Sequence, residues 1–521
     1  VGAQAGILAI VFSVTVIGIQ LVAMRYSPRM ISFFAESPIF LYTFFLFVVS
    51  IAVDLWLLLT IPDSQSTYHS AAVLAASGLG LSAALTLFRF VRTAIKQSTP
   101  DGAIDSFVSR MTVDRYLDKV RRRVESDSEV AHPMHPLYNL IMNSLSSGEY
   151  VTTKRAIDEY GDLTQDTLSR FIEAQTFESE DRPVAKELFN PVLTEQLKEI
   201  ALHAEEQEEH QIVSDAVELQ YELGAVGLTM PADVVARDAN LGLSRLIRVT
   251  PVETGSYTAS NNAWKNLGQL LVDASEQPDP DPVWNISSSL RRGVSNQIQK
   301  FDDPRRYQHS MVLLFNNMES CQENLLDHYG DAAAEVDMEW QTEHVPDDAP
   351  DRKKARAVHR WRQTLLSTSS DFIEYRIREG EYPIPGGNLM DSWKNICIDA
   401  SQSPATDYAI TLCQALIEIA VIMRHERDGS GTSWESRIAR VKHEGDPEIV
   451  DQAFARLLEY EYVEEEPWVP TVTEMDQYRE VFYRNQLNVG QYKPLNSTPD
   501  FSSTVNEIRN TVDDRQTELA S

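Results

Sequence analysis

The sequence predicts an all-α protein in which N-terminal transmembrane helices precede a large acidic helical cytoplasmic region, arranged as helical-hairpin repeats. Three observations lead to this fold class: long apolar runs within residues 1–97, helical periodicity from Asp101 onward, and an acidic excess outside the apolar part. A small α+β unit is expected near the C-terminus. The predicted divisions are a transmembrane domain, two helical parts, the small unit and a mobile tail, at residues 1–97, 98–275, 276–430, 431–495 and 496–521.

The apolar runs cover about residues 2–24, 39–61 and 70–91, close to the roughly 20 residues that a helix needs to cross a bilayer. A cleaved signal peptide is disfavoured because two further runs follow the first. The loop at 62–70 has no Lys or Arg, so the positive-inside rule places it outside and the chain after the third run in the cytoplasm. The basic residues at the cytoplasmic interface are Arg25, Arg29, Arg89 and Arg92.

This orientation places the start of the first run outside. Because the numbered chain starts with Val1 and not with Met, we expect at least one transmembrane helix before it. The sequence therefore predicts a multi-pass protein of the cell membrane with its large C-terminal region in the cytoplasm.

Polar and small residues inside the apolar runs fall on common helix faces, at about 100° per residue. Such residues let membrane helices approach closely and form hydrogen bonds, so one interpretation is that these faces are packing seams. The other interpretation is that one face lines a polar conduit, with Ser13 and Gln20 toward water. The polar positions are Ser13, Thr15, Gln20, Ser50 and Asp54, and the packing positions are Gly2, Gly6, Gly80 and Ala84.

Asp54 lies seven residues before the end of the second run, hence about 10 Å inside the outer boundary. Carboxylates inside a membrane are energetically unfavourable and usually face a helix-bundle interior or a water-filled cavity. Two interpretations remain open for Asp54. It is either an ion or proton site or a hydrogen-bond partner of polar residues near the outer end of the helices, namely Gln4, Thr67 or His69.

A combination of short motifs marks the first run and the turn after it: Phe12-Ser13, Gln20-Leu21 and Tyr26-Ser27-Pro28-Arg29, with an aromatic-rich second run following. It resembles the start of an uncharacterised family of prokaryotic membrane proteins, domain of unknown function 2254. A second patch, residues 250–271, is similar to a cytosolic element of that family at Thr250, Pro251, Thr258, Ala259, Leu267 and Gly268. Thr254-Gly255-Ser256 stands where the family has Asn-Asp-Pro. The resemblance implies an N-terminal membrane domain and a cytosolic C-terminal domain, and no known reaction.

From Asp101 onward, apolar residues recur at helical spacing, and pairs of helices are separated by short polar turns. The stretch EEEPWVPTVT near the C-terminus is expected to form a short strand pair, which is the basis for the α+β unit. The clearest predicted helices are residues 112–126, 135–148, 192–224, 232–249, 407–426 and 447–462.

The 521 residues include 46 Lys and Arg against 77 Asp and Glu, a formal net charge of -31. The first 96 residues hold five basic and three acidic residues, so the acidic excess belongs to the later part. This charge excludes nonspecific nucleic-acid binding as a main activity, because such binding needs a positive field. Only 12 basic residues are Lys. An acidic, Lys-poor surface indicates a halophilic archaeon, whose concentrated salt screens the self-repulsion.

The motifs of nucleotide-binding and hydrolytic enzymes are not found: the sequence has no P-loop, Rossmann fingerprint, GxSxG or HExxH. His132 and His135 are expected in a helix-entry loop, and EEQEEH (205–210) on a solvated acidic face. The basic triplet 121–123 either contacts anionic headgroups or forms salt bridges. Cys321, Cys397 and Cys413 are far apart, which suits a reducing compartment without a zinc site. We therefore expect no catalytic residues, no metal, no cofactor and no enzyme activity.

Two functions from different classes fit these observations. One is an oligomeric conduit for inorganic ions, in which the first run of several subunits lines a pore and the acidic region attracts cations. The alternative is a membrane-anchored scaffold or sensor that binds partner proteins without transport. Asp54 and the two-sided polarity of the first run favour the conduit slightly. The expected partners are the lipid bilayer and further copies of the chain, with no nucleic acid.

Overall fold

The computed structural model describes Ser13 and residues 38–60, 67–126, 132–173, 181–229, 234–253, 256–300, 308–335, 350–379, 386–425, 431–459 and 501–521. Within these ranges the regular structure is entirely helical, with no strand, so the all-α prediction is confirmed. The chain forms two compact units: Val1–Pro191 with Glu206–Asp215, and Val192–Glu205 with Ala216–Ser521. This boundary falls inside the predicted 98–275 part.

From residue 38 onward, the described part of the first unit starts with a helical hairpin, in which α1 (Pro38–Thr60) packs along α2 (Thr67–Ser98). Of the residues that the structure describes, one helical stretch is long and apolar enough to cross a membrane, Ser70–Arg89. The apolar stretch of α1, Phe45–Leu57, is shorter. The third predicted run is therefore the candidate span, whereas the second forms a helix with a shorter apolar part and the first lies outside the described residues.

Five further helices follow α2 in the described part of the first unit up to Pro191. Thr99 caps the first of them, its side chain accepting a hydrogen bond from the Gly102 N–H at 3.2 Å. Arg155 then ties this helix to a later one through ion pairs with Asp101 and Asp105. The helices are α3 (Pro100–Arg110), α4 (Val113–Ser126), α5 (His135–Ser146), α6 (Tyr150–Glu173) and α7 (Asp181–Pro191).

A proline shapes the end of α7. Pro191 has no N–H, so the Glu187 carbonyl one turn earlier loses its usual helical partner. His132 lies beside the carbonyls of Glu187 and Leu188. The Tyr116 hydroxyl donates a hydrogen bond to the Leu188 carbonyl at 3.4 Å. The side chains that satisfy these carbonyls therefore come from α4 and from the loop before α5.

The second unit starts with a π-helical turn, Val192–Gln196, and α8, Leu197–Glu206. From α10 onward, each helix packs against the helix two places later, so even-numbered helices form one layer and odd-numbered helices another. This is the neighbour pattern of helical-hairpin repeats. The helices are α9 (His210–Gly227), α10 (Val234–Glu253), α11 (Thr258–Ser275), α12 (Asp281–Lys300), α13 (Gln308–Glu335), α14 (Pro350–Glu379), α15 (Gly386–Gln402), α16 (Thr406–His425), α17 (Gly431–Glu444), α18 (Pro447–Glu459) and α19 (Phe501–Ala520).

Buried glutamines connect helices of this array. Gln220 donates to the Leu193 carbonyl in the π-helical turn, and Gln322 donates to the Ile396 carbonyl at 2.6 Å. Gln297 donates to the Ile247 carbonyl at 3.1 Å, which has no helical partner because residue 251 is a proline. Each glutamine thus satisfies a main-chain carbonyl on another segment, which fixes how neighbouring elements pack.

The C-terminal region corrects two predictions. The described part of the expected α+β unit, Gly431–Glu459, is helical only, so that unit is not supported, and the expected strand pair lies outside the described residues. Residues 501–520 form α19 instead of a mobile tail. Val505, Ile508 and Val512 lie on one face of α19 and are completely buried, because α19 packs against α16, α17 and α18.

The predicted helix over residues 192–224 is also divided in two. α8 ends at Glu206 and α9 begins at His210, with Glu208 at a positive φ of 60° in the turn between them. The other helices predicted most clearly are present, with ends that differ by up to four residues.

Candidate functional site

The hairpin carries the polar positions that the sequence singled out. On α1, Thr43, Phe47, Ser50 and Leu57 are buried, which identifies the face toward α2. Asp54 lies on the same face and is partly buried. These positions recur every three or four residues, as one face of a helix requires.

Small residues form the face of α2 that packs against α1. Ala76 and Ala83 are its buried positions, two turns apart, with Gly80 partly buried between them. Ala84, predicted to pack, is exposed, and the next stripe holds Gly78, where a Cβ would meet nothing within 4 Å. Of the two packing positions predicted in α2, Gly80 therefore borders the seam and Ala84 does not.

The structure describes some of the remaining predicted membrane positions and not others. Ser13 is helical and exposed, and Arg89 and Arg92 are exposed at the end of the candidate span. The helix α2 continues past Arg89 to Ser98 without a break. The predicted positions that lie outside the described residues are Gly2, Gly6, Thr15, Gln20, Arg25 and Arg29.

The basic triplet on α4 forms salt bridges at two of its three positions. Arg122 pairs with Asp118 at 2.5 Å, and Arg123 pairs with Glu187 of α7 at 2.6 Å. Arg121 is exposed. This arrangement favours the salt-bridge interpretation for Arg122 and Arg123.

His132 and His135 occupy the loop and first residue that lead into α5. His132 is buried beside Tyr116, with Nε2 3.4 Å from the tyrosine hydroxyl oxygen. Burial and the positive charge of Arg123 lower the pKa of His132 to about 4, and the Leu188 carbonyl opposes part of this change. His135 stacks on Tyr138. The pair is therefore part of the helix entry, as the sequence predicts.

An acidic stripe runs along the odd layer of the second unit; it comprises Glu319, Glu323 and Asp327 of α13, with Asp399 of α15 facing them. Burial, together with the negative charges of the three neighbouring carboxylates, raises the pKa of Asp399 to about 6. Asn395 donates to Glu319 at 2.7 Å. The four-residue spacing on α13 is visible in the sequence, but the position of Asp399 opposite it is not.

Glu205 has a structural role that the sequence did not reveal. It was assigned to a solvated acidic face, yet it is buried, and its two carboxylate oxygens accept hydrogen bonds from the Thr258 and Ala259 N–H groups at 2.7 and 2.9 Å. These are orphan donors at the start of α11. Glu205 therefore caps α11. Further along that helix, the absence of a side chain at Gly268 lets α11 approach Asn317 of α13 closely.

All three cysteines are free and buried in the second unit. Burial raises the pKa of the Cys321 thiol, and it raises that of Cys397, which also interacts with Cys413. Low-pKa, accessible thiols are the reactive ones, so these thiols act as core residues.

Comparison with known proteins finds a family model that is similar to the first part of the chain. Residues 1–159 match the family described as "Predicted membrane protein (DUF2254)". The DUF2254 match includes the hairpin and continues into α6; the second patch of sequence resemblance, 250–271, lies beyond it. No curated protein matches the sequence.

Two solved structures are similar over most of the chain but at low TM-scores, so neither carries an argument about fold or function. One is a circular tandem repeat protein with novel repeat topology, at 13% identity and a TM-score of 0.33, covering 92% of this chain and 96% of that one. The other is the NOT1 superfamily homology domain from Chaetomium thermophilum, at 10% identity and a TM-score of 0.22, covering 88% and 97%.

Proposed function

We propose that this chain is a membrane-anchored scaffold or sensor, in which the hairpin holds the protein in the bilayer and the helical array binds a partner protein. The observation that carries this proposal is the two-layer array of α10 to α19, since stacked helical hairpins present extended binding surfaces. The proposal involves no catalytic step, cofactor or nucleic acid.

The membrane-anchoring part is supported by the distribution of exposed apolar side chains. Fifteen large hydrophobic side chains are exposed among the described residues, and eleven of these belong to α1 and α2. A concentration of this kind marks a surface that is covered by lipid or by another protein. The match of residues 1–159 to a predicted membrane protein family agrees with lipid.

The array supports a partner of basic character. The acidic stripe of α13 and α15 holds four carboxylates, and the partial burial of Asp399, with repulsion from the other three, raises the pKa of Asp399 to about 6. A basic surface on a partner protein relieves this repulsion, so electrostatic complementarity steers the encounter.

Site-specific crosslinking tests this proposal. A photo-reactive amino acid is placed at position Glu323 in protein that is expressed in the host cells. We expect it to crosslink to one defined partner, and charge reversal at Asp327 is expected to abolish this crosslink. Charge reversal at Asp166, on α6 of the first unit, is the matched control and leaves capture intact. Capture that survives the Asp327→Lys change would contradict a role for the acidic stripe.

A second candidate function is the oligomeric ion conduit, with further copies of the chain around a pore. It is favoured by one observation: Thr43, Ser50 and Asp54 form a polar series on one face of α1, in the part of the hairpin predicted to lie in the membrane. In reconstituted vesicles, a conduit predicts ion flux above the lipid background that Gln20→Leu alters. The scaffold predicts flux equal to that of empty vesicles.

The proposal also includes the location of the protein in the cell and the kind of organism it comes from. We propose a multi-pass cell-membrane protein with the C-terminal region in the cytoplasm, from a halophilic archaeon. Labelling of a cysteine placed at Ser521 tests the orientation: this cysteine is expected to be protected from impermeant reagents in intact cells and reactive after lysis. Labelling of Ser521 in intact cells would contradict it.

A further inference from the structure

The face of α1 toward α2 contains two hydroxyl groups without a hydrogen-bond partner among the described residues. Thr43 and Ser50 are 5% and 1% exposed, and neither Oγ1 of Thr43 nor Oγ of Ser50 is bonded there. Helical hydroxyls usually satisfy themselves on the preceding turn, as Thr60 does on the Trp56 carbonyl at 2.7 Å and Thr86 on the Ser82 carbonyl at 2.9 Å. Buried polar groups left unpaired are rare in native proteins and call for a partner.

Asp54 lies one helical turn after Ser50 on the same face and is partly buried. Side chains four residues apart on a helix are neighbours, with Cβ atoms about 5–6 Å apart. A ligand that sits between these side chains can therefore contact the Ser50 hydroxyl oxygen and the Asp54 carboxylate together. Thr43 is two turns from Ser50, roughly 10 Å along the axis, and lies outside this pair.

We propose that Ser50 and Asp54 bind a monovalent metal cation in the seam of the hairpin. Both side chains offer hard oxygen ligands, which suit Na⁺ and similar ions and not soft metals. One carboxylate neutralises one positive charge, whereas a divalent ion leaves a net charge in an apolar surrounding, which is strongly unfavourable. No group of three or more His, Cys, Asp and Glu suited to a transition metal occurs among the described residues.

The proposal is independent of both functions proposed above. A bound ion is measured at equilibrium, so it neither requires transport nor contradicts anchoring. If the chain conducts ions, the same pair lies on the route; if it does not, the ion stabilises the hairpin by satisfying Ser50 and Asp54.

The test is equilibrium binding of ²²Na⁺ to the full chain in nanodiscs, at constant ionic strength maintained with choline chloride. The acidic cytoplasmic part binds sodium weakly, so each variant is compared with the unmodified chain. We expect one saturable class of sites, a five- to tenfold weaker affinity for Ser50→Ala, and loss of this class for Asp54→Asn. Ser50→Thr, which keeps a hydroxyl, is expected to retain most of the affinity.

Thr60→Ala is the matched control, because its hydroxyl is already bonded to a carbonyl of the same helix, and it is expected to leave binding unchanged. Competition with K⁺ and Li⁺ then ranks the monovalent ions. Saturable binding that is equal in the unmodified chain and in Asp54→Asn overturns the proposal, as does the absence of saturable binding. A hairpin whose thermal midpoint does not change with Na⁺ also overturns it.

Folding of the variants is checked separately, by gel filtration in detergent and by helix content. Ser50→Ala removes one oxygen and leaves the packing nearly unchanged. The expected loss of Na⁺ affinity in this variant therefore tests the proposal even if Asp54→Asn does not fold.

Discussion

At the scale of single residues, His132 shows how burial decides chemistry. A histidine directly before a proline is predicted from the sequence to lie in a helix-entry loop, and the structure agrees. Its isolation from water is not readable from the sequence, because the Tyr116 and Leu188 groups that surround it come from distant segments. The consequence is a buried imidazole that resists protonation.

This burial predicts acid sensitivity. An unfolded histidine titrates near pH 6.5, but the folded pKa of His132 is about 4, so stability is fully present above pH 6.5 and falls as the pH drops toward 4. The gap between the two values corresponds to roughly 3 kcal/mol. Denaturant unfolding at pH 7.5 and pH 4.5 is expected to show a loss that His132→Gln reduces. His309→Gln, at an exposed position, is expected to retain the full loss.

At the scale of elements, the close approach of α10 to the π-helical turn depends on a glycine. A Cβ on Gly242 would collide with the Gln220 amide and with the Leu193 carbonyl, which are the two partners of a buried hydrogen bond. The glycine stands in a sequence that predicts a helix correctly, yet the spacing gives no sign of the neighbour that requires it.

Gly242→Ala is therefore expected to destabilise the second unit by about 2–4 kcal/mol, through overpacking and a lost buried hydrogen bond. Gly387→Ala is the control, since a Cβ there would meet nothing within 4 Å, and it is expected to change stability by less than about 0.5 kcal/mol. Equal effects of the two substitutions on denaturant midpoints would refute this explanation.

α19 was predicted as a mobile tail because its sequence is polar, and its docking rests on a few buried groups. Lys442 of α17 has an 8% exposed side chain and pairs with Asp451 of α18 at 2.6 Å and with Asp513 of α19 at 2.7 Å. Arg424 of α16 adds an ion pair to Glu507 at 3.0 Å. The apolar spacing of Val505, Ile508 and Val512 is visible in the sequence, but these ionic partners are not.

Lys442→Met leaves Asp451 and Asp513 facing each other without their shared cation, and we expect a loss of about 1–3 kcal/mol. Amide exchange should increase in α19 more than in α11, which lies far along the array. In the double variant with Asp513→Asn, the loss is expected to be smaller than the sum of the two single losses, because one carboxylate is already neutral. Strict additivity would argue against the ion pair.

At the scale of the whole molecule, some features of the fold could be predicted from the sequence and others could not. The all-helical class followed from periodicity, and the family resemblance of the first run agrees with the match over residues 1–159. Helical-hairpin repeats were expected, but the sequence does not show which helices pack together; in α10 to α19 each helix packs against the helix two places later. Of the candidate ion site, the polar series on α1 was readable, but the unpaired state of its hydroxyls was not.

The charge of -31 predicts that salt stabilises the protein. In 1 M NaCl the Debye length falls to about 3 Å, so repulsion along the acidic stripe is largely screened. We expect a higher thermal midpoint in 1 M than in 0.1 M salt, and a smaller rise for Asp399→Asn. Because the pKa of Asp399 is raised, its ionisation destabilises the fold as the pH rises through about 6. A midpoint that is independent of salt would exclude this effect.

The unbroken length of α2 has a mechanical consequence. A rod of 32 residues is about 48 Å long, and α3 packs directly against it. Bilayers of different thickness change the tilt of a spanning helix, and a tilt of 10° displaces the far end of such a rod by roughly 8 Å. Because α2 has no break, a tilt of this helix is transmitted to α3, which packs against it.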